Sequence, residues 1–281
     1  MPSRQPGAGP ALTVIKVGGS LFSDKRQART VDGEALDRYA GAIAALWKQA
    51  PGRLAFVSGG GAFGHDAVRG LGPADPDAAL PLTEATFALK WLWTKALRSH
   101  GCRAVPLQVA GFARREGTAL RVEAGVPRRL LETGSLPVLA GDAILAADGG
   151  LEVLGSDRVP EVLLGLRPGT VRVAMLTDVP GILRDGPGGS AVLREIDPSR
   201  PEDAAAALWE VPAWDTSRSM RGKLEAAVAL ARLGAECLIL RGEPSRERLQ
   251  LLLEPCETWP EAMTYTRISR GGVAIAAASG D

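Results

Sequence analysis

The sequence is poor in the residues that build metal and disulfide frameworks. Its three cysteines, Cys102, Cys237 and Cys256, lie far apart with no C-x-x-C spacing. That excludes a disulfide scaffold or structural zinc site and fits a reducing, cytoplasmic compartment. The two histidines, His65 and His100, cannot assemble a His-rich metal centre. Aromatic residues make up 5% of the chain, too few for a base-stacking surface. Neither sign of charge dominates: 33 basic against 32 acidic residues leave +1, which gives no field to draw nucleic acid or an anionic membrane. No apolar run approaches the roughly 18–20 residues of a membrane span. The stretch up to Pro10 lacks the apolar core of a signal peptide and reads as a frayed tail. Lysine is scarce too, at Lys16, Lys25, Lys48, Lys90, Lys95 and Lys223 only, so arginine is the default cation. A lysine kept beside glycines is then expected where a compact point charge is needed.

Glycine, by contrast, is abundant. The 34 glycines are about 12% of the chain against a usual share of about 7%, an excess that asks for tight turns and close backbone approach. A length of 281 residues suffices for one large α/β domain with a sizeable core. Apolar strand patterns at Leu12–Val17, Leu54–Val57, 103–109, 136–140, 171–176 and 236–240 alternate with helical ones. The helical patterns cover 34–49, 82–98 (with Thr83 as N-cap), 157–165, 202–209 and 219–233. Segments 110–134 and 146–155 read as excursions or hairpins, and 185–189 as an exposed turn. A late hairpin of Tyr265–Ile268 with Val273–Ile275 would close the sheet. The alternation predicts an α/β fold, with helices on both faces of a mostly parallel sheet.

Five motifs stand at the ends of these patterns. Lys16-Val17-Gly18-Gly19-Ser20 ends a strand in bare backbone beside a lysine, which is how phosphate is held; alone it is equally a Gly-Gly turn. Ser58-Gly59-Gly60-Gly61-Ala62-Phe63-Gly64-His65 formally matches G-x-G-x-x-G. The acidic residue that a dinucleotide fold wants about 20 positions on would be Glu84, which falls in a helix start, so that reading loses. A second anion-receptive turn, ending in a histidine, is left. Gly155-Ser156-Asp157-Arg158 reads either as an N-cap or as a carboxylate anchoring nearby lysines. Asp215–Lys223, with Ser217, Arg218, Ser219 and Met220, places hydroxyls and Lys223 at a helix start with Leu224, Ala227, Val228 and Ala231 inward. Thr177-Asp178-Val179-Pro180-Gly181 turns sharply after a strand, where a nucleotide could lie. Loops after the carboxyl ends of a parallel sheet converge on one crevice. Two anion cradles in one crevice suit phosphoryl transfer, where positioning and charge neutralisation do most of the work.

The segments IKVGGS, SGGGAFGH, LPVLAGDA, GSDRVPEVLL, LTDVPGIL and Ser217–Lys223, in this order, resemble the amino-acid-kinase superfamily. GGGAFGH looks like the branch containing isopentenyl phosphate kinase and the fosfomycin resistance kinase. LTEATF, SDRVPEVLL, ALW…WD, GAEC and YTRI look most like the fosfomycin kinase. The similarity spans about residues 12 to 270. The resemblance implies a three-layer αβα sandwich with an open, mainly parallel sheet. It also implies a homodimer, ATP and Mg2+ as cofactors, and a small anionic phosphonate or phosphate acceptor. Residues 1–11 would be a tail and 12–281 one domain, with an acceptor lobe to about 165 and a nucleotide lobe from about 166.

By the same resemblance Lys16 and Lys223 would neutralise the transferring group, and Asp157 would hold them. Gly18, Gly19 and Ser20 would donate to ATP phosphates. Thr177, Asp178, Gly181 and Met220 would border the nucleotide. Lys25, Gly60, Gly61, Ala62, His65, Ser156, Ser217 and Arg218 would face the acceptor. Two departures stand out: Ser217-Arg218-Ser219-Met220 replaces Thr-Gly-Gly-Met or Thr-Gly-Ala-Met, and Gly155 replaces a serine of the fosfomycin kinase. The reading is an ATP-dependent kinase of a small phosphonate, with fosfomycin foremost, serving resistance or self-protection. Its alternatives are an isopentenyl phosphate kinase, a kinase of another phosphonate in natural-product biosynthesis, or a silent nucleotide-binding sensor.

Overall fold

The computed structural model describes residues 9–24, 29–68, 80–184, 189–200 and 219–270. Its centre is β1 (Leu12–Val17), buried along its whole length and β-branched at Thr13, Val14, Ile15 and Val17. Side chains alternate across a strand, so Leu12 and Val14 enter one apolar layer while Ile15 and Val17 enter the other. The flanking parallel strands β2 (Leu54–Ser58) and β9 (Val171–Thr177) divide in the same way: Phe56 and Leu176 go to one layer, Val57 and Met175 to the other. A strand buried on both faces must be apolar at nearly every position, which is what these sequences supply.

The remaining strands are β3 (Ala104–Pro106), β4 (Ala113–Glu116), β5 (Ala119–Val122), β6 (Leu136–Ala140), β7 (Asp142–Leu145), β8 (Leu151–Leu154), β10 (Glu195–Ile196), β11 (Glu236–Arg241) and β12 (Tyr265–Ile268). Among the described residues they form an eight-stranded sheet, β10-β12-β11-β9-β1-β2-β6-β3, and a four-stranded one, β5-β4-β7-β8. In the large sheet only the β11–β12 pairing is antiparallel. The helices are α1 (Gly33–Gln49), α2 (Gly61–Val68), α3 (Leu80–Ser99), α4 (Gly125–Glu132), α5 (Ser219–Arg232) and α6 (Arg246–Gln250). One layer takes α1 and α3, through Leu36, Tyr39, Ile43, Leu46, Leu89 and Trp93; the other takes α5 and the 159–163 turn. Leu224, Ala227, Val228 and Ala231 face inward on α5, as their spacing requires. The αβα sandwich with an open, mainly parallel sheet is therefore observed.

Local departures have local causes. Thr83 does not cap α3, which begins at Leu80; its hydroxyl instead donates to Asp142 Oδ1 at 3.1 Å. The segment 157–165 is a 3-10 turn, Val159–Leu163, with Pro160 inside its first turn, not an α-helix. The strand expected over 103–109 shortens to β3 and gives way to a 3-10 turn at Val109–Gly111. Segments 110–134 and 146–155 supply the β4–β5 hairpin and the return strand of β7–β8, which together build the small sheet. The helix expected at 202–209 and the strand at 273–275 lie outside the described residues, as does all of the turn expected at 185–189 except Gly189.

At the amino ends of β9 and β11 the buried Arg172 and Glu236 pair at 2.7 Å. Arg172 also donates to the carbonyls of Leu252 and Glu254, tying the chain after α6 under the sheet.

Candidate active site

Register aligns the carboxyl ends of five strands. Val17 pairs with Ser58 and Leu176, Ser58 pairs with Ala140, and Arg241 pairs with Thr177. The turns beyond these ends therefore leave the sheet at one level. The turns after β1 and β9 depart between strands whose connections run to opposite sides, the usual crevice of an open α/β sheet.

Lys16 shares the parity of Leu12 and Val14, so it points into the layer that holds α5 and the 159–163 turn. It is 2% exposed, and its Nζ lies 2.6 Å from Asp157 Oδ1. The residue next to Asp157, at the start of the 3-10 turn, is Arg158, which makes no side-chain cap. The Asp157 carboxylate thus serves the lysine rather than a helix start. A buried ammonium is tolerable only with such a partner. Ser156 stands beside it: a Cβ added to Gly141 would lie 3.2 Å from Ser156 N, so Gly141 lets the 155–156 backbone close on the end of β6. Lys223 lies in the first turns of α5, on the same layer.

The two glycine turns interlock. A Cβ at Gly19 would sit 2.5 Å from Gly61 N, and one at Gly59 would sit 2.6 Å from Gly19 N. Neither position has space for a side chain. Ser23 stitches the turns together, donating from Oγ to Gly19 O at 2.9 Å and accepting from Ala62 N at 3.0 Å. Gly61 has φ +51°, a left-handed conformation, and opens α2. Gly60, Gly61 and Ala62 thus form the amino end of α2, whose first N–H groups have no intrahelical partner. Ser20 is exposed beside them. His65 lies in α2; its side chain, with Lys25, Ser217 and Arg218, lies outside the described residues.

On the other side of β1, Thr177 ends β9 and donates to Asp178 Oδ1 at 3.0 Å. A Cβ at Gly181 would lie 2.7 Å from Thr266 Oγ1, and Ile182 N donates to the same hydroxyl at 2.8 Å. The turn after β9 is therefore pinned to β12. Met220, at the start of α5, packs on the apolar layer beneath. Among the described residues no group of three or more His, Cys, Asp or Glu side chains could hold a metal ion. The residues present fit a polyanion carrying its own metal: glycine backbone, a paired lysine and helix starts, without a carboxylate cage.

Several residues at this edge carry little signal in the sequence. Ser23 has only its nearness to Gly18-Gly19-Ser20. Gly242 succeeds β11, donates from N to Thr177 O at 2.7 Å, and would bring a Cβ within 2.8 Å of the Tyr39 hydroxyl. Asp142 is fully buried and accepts from Thr83 Oγ1, Gln108 Nε2, Ala110 N and Ala143 N. Lys90, likewise fully buried, donates to Leu107 O at 2.9 Å and to Gln108 Oε1. Burial pulls the Lys90 pKa down to about 8, against a smaller opposing effect from Asp142.

Comparison with known proteins agrees with this geometry. The model of the amino acid kinase family matches residues 11–241. The isopentenyl phosphate kinase of Methanothermobacter thermautotrophicus is 29% identical over 245 residues, covering 82% of this chain and 90% of that protein. The enzyme of the same name from Haloferax volcanii is 33% identical over 226 residues, covering 78% and 88%. A crystal structure of T. acidophilum isopentenyl phosphate kinase in a product complex superposes with a TM-score of 0.67 at 20% identity, over 92% of this chain and 99% of that one. With the interlocked glycine turns, the Lys16–Asp157 pair and this match in hand, the chain belongs to the amino acid kinase family and is an ATP-dependent phosphotransferase.

Proposed function

We propose that the protein transfers the γ-phosphoryl group of ATP to a small phosphonate, fosfomycin foremost, with resistance or self-protection as its role. The observation that carries the reading is the Lys16–Asp157 pair set where two interlocked glycine turns meet. Such a junction offers two anion cradles with one paired cation between them. ATP, with Mg2+ held chiefly by phosphate oxygens and water, supplies the transferable group. It lies over the half from about 166 to 281, against Gly18, Gly19, Ser20, Thr177, Asp178, Gly181 and Met220. The acceptor lies over the 12–165 half, against Gly60, Gly61, Ala62, His65 and Ser156, with Lys25, Ser217 and Arg218 adding donors.

Lys16 and Lys223 neutralise charge that grows on the transferring group, and Asp157 fixes Lys16 for that task. A phosphonate oxygen is already anionic near neutral pH, so the attack needs no general base. The obstacle is repulsion between two anions, worth several kcal/mol at intermediate dielectric, which Lys16, Lys25 and an N–H of His65 offset. The motifs LTEATF, SDRVPEVLL and GAEC support the phosphonate. The 29–33% identical relatives favour a second reading, isopentenyl phosphate as acceptor. We also propose a homodimer, supported by the apolar outer face of α3.

A product assay with ATP, Mg2+ and, in parallel, fosfomycin, fosfomycin monophosphate and isopentenyl phosphate decides. Turnover of fosfomycin with the highest kcat/KM is the expected result. A higher kcat/KM for isopentenyl phosphate hands the assignment to the second reading. ATP binding without turnover of any acceptor would mean a sensor.

A further inference from the structure

Among the described residues, two buried ionic clusters lie outside the candidate residues. The Arg172–Glu236 cluster sits at the amino ends of the strands and braces loop carbonyls there. The cluster of Thr83, Lys90, Gln108 and Asp142 sits at the other end, among the elements that carry the acceptor side of the site. We propose that this second cluster is a positioning relay, which holds the amino end of α2, from Gly60 to His65, and the Gly155–Asp157 turn in fixed relation for the acceptor. The inference rests on the phosphoryl-transfer reading above and names residues that this reading does not use.

The relay has two arms. In one, Asp142 opens β7 directly across from Leu154 of β8, and Leu154 immediately precedes Gly155, Ser156 and Asp157. Anchoring Asp142 therefore anchors the strand pair that delivers Ser156 and the carboxylate holding Lys16. In the other, Thr83 donates to Asp142 at 3.1 Å from the start of α3. The preceding residue, Leu82, is buried against α2, and its Cδ1 would lie 3.9 Å from a Cβ on Gly64. Helix α2 begins with the glycine turn and carries His65.

Between the arms runs a chain of fixed polarity. Lys90 donates to the Gln108 carbonyl, and the Gln108 amide donates to Asp142 Oδ1 at 2.6 Å. A neutral amide thus transmits the opposition of a buried ammonium and a buried carboxylate. Such a pair stabilises a fold no better than well-packed apolar groups would. What it adds is a single allowed arrangement, because a half-satisfied buried network is costly. The relay touches none of the reacting atoms, so its residues position rather than catalyse.

The test uses Lys90→Met, Thr83→Val and the double variant Lys90→Met/Asp142→Asn in the full chain. Steady-state kinetics are measured with ATP against fosfomycin, or isopentenyl phosphate if that is what the wild type consumes. Amide hydrogen exchange is followed over 61–68, 152–158 and 171–177. Lys90→Met should raise the acceptor KM about tenfold while the ATP KM stays within about twofold. Exchange should quicken in 61–68 and 152–158 but not in 171–177. The double variant, which no longer buries an unpaired carboxylate, should recover part of the loss. Thr83→Val keeps the charges and the fold, and should move the same quantities less far; it decides if Lys90→Met does not fold. Parallel changes in both KM values, or unchanged acceptor KM and unchanged exchange at 152–158, overturn the relay. If the wild type consumes neither acceptor, the phosphonate reading falls and the exchange pattern alone decides the relay.

Discussion

Lys16 and Lys90 are both withdrawn from water, yet they are held by different means. Lys16 meets a carboxylate directly at 2.6 Å, whereas Lys90 meets carbonyl oxygens and faces its carboxylate only through Gln108. The direct pair predicts that Asp157→Asn lowers kcat about a hundredfold, since Lys16 loses the partner that aims it, while the ATP KM changes about threefold or less. Steady-state kinetics with a melting curve check this, and a kcat near the wild-type value would remove Asp157 from its role. The indirect arrangement predicts a pH dependence of stability. Burial holds the folded-state pKa of Lys90 at about 8, below the ordinary lysine value of 10.5. Between those two values Lys90 has shed its proton in the native state while the unfolded chain still holds it. Unfolding then takes up a proton, so this group makes stability rise as pH climbs through that window, with no slope from it below. Lys90→Met should remove a rise on the order of 3 kcal/mol, read from urea melts across the window. Equal slopes in wild type and variant would show that Lys90 does not titrate there.

At the level of elements, the crevice depends on two turns sharing space that belongs to backbone alone. Gly19→Ala would drive a methyl into Gly61, and neither partner can yield, because Ser23 ties both turns and each continues a central strand. The cost should be about 1–3 kcal/mol of stability, with a loss of turnover of a hundredfold or more as the cradles separate. Gly33→Ala is the control. Nothing lies within 4 Å of a Cβ there, at the first residue of α1, so turnover should be unchanged and stability equal or slightly higher. Denaturant melts and kcat for the two variants give the comparison, and equal kcat values would mean that the glycine contact is incidental.

For the whole molecule, the outer face of α3 carries, among the described residues, an exposed apolar stripe that an isolated chain does not explain. Leu80 and Phe87 are each 52% exposed and Trp91 is 46% exposed, seven and four residues apart, hence on one stripe of the helix. Apolar side chains aligned in this way mark an association surface. The proposed homodimer predicts that Phe87→Glu/Trp91→Glu shifts the sedimentation-equilibrium mass from about twice the 29.4 kDa chain towards the monomer. A wild-type protein that sediments as a monomer at micromolar concentration would overturn it.

The sequence by itself determined the central strands and their two-sided burial, because largely apolar runs such as Leu12–Val17 and 171–176 fit no exposed setting. It also determined that the helices on both faces wrap a parallel sheet, since 34–49 and 219–233 carry the apolar spacing of α1 and α5. The glycine turns were legible as well, because only glycine tolerates the close backbone packing just past those strands. Tertiary structure alone decided which turns touch. Gly19 meets Gly61, Lys16 meets Asp157, and Asp142 gathers Thr83, Gln108 and Ala110 across tens of residues of chain. In the sequence Thr83 reads as a helix cap and nothing sets Lys90 apart from the other lysines, because a cap and a long-range partner look alike locally. Strand register separates them: it brings distant segments to one level at the sheet's edge, and no local pattern encodes that alignment.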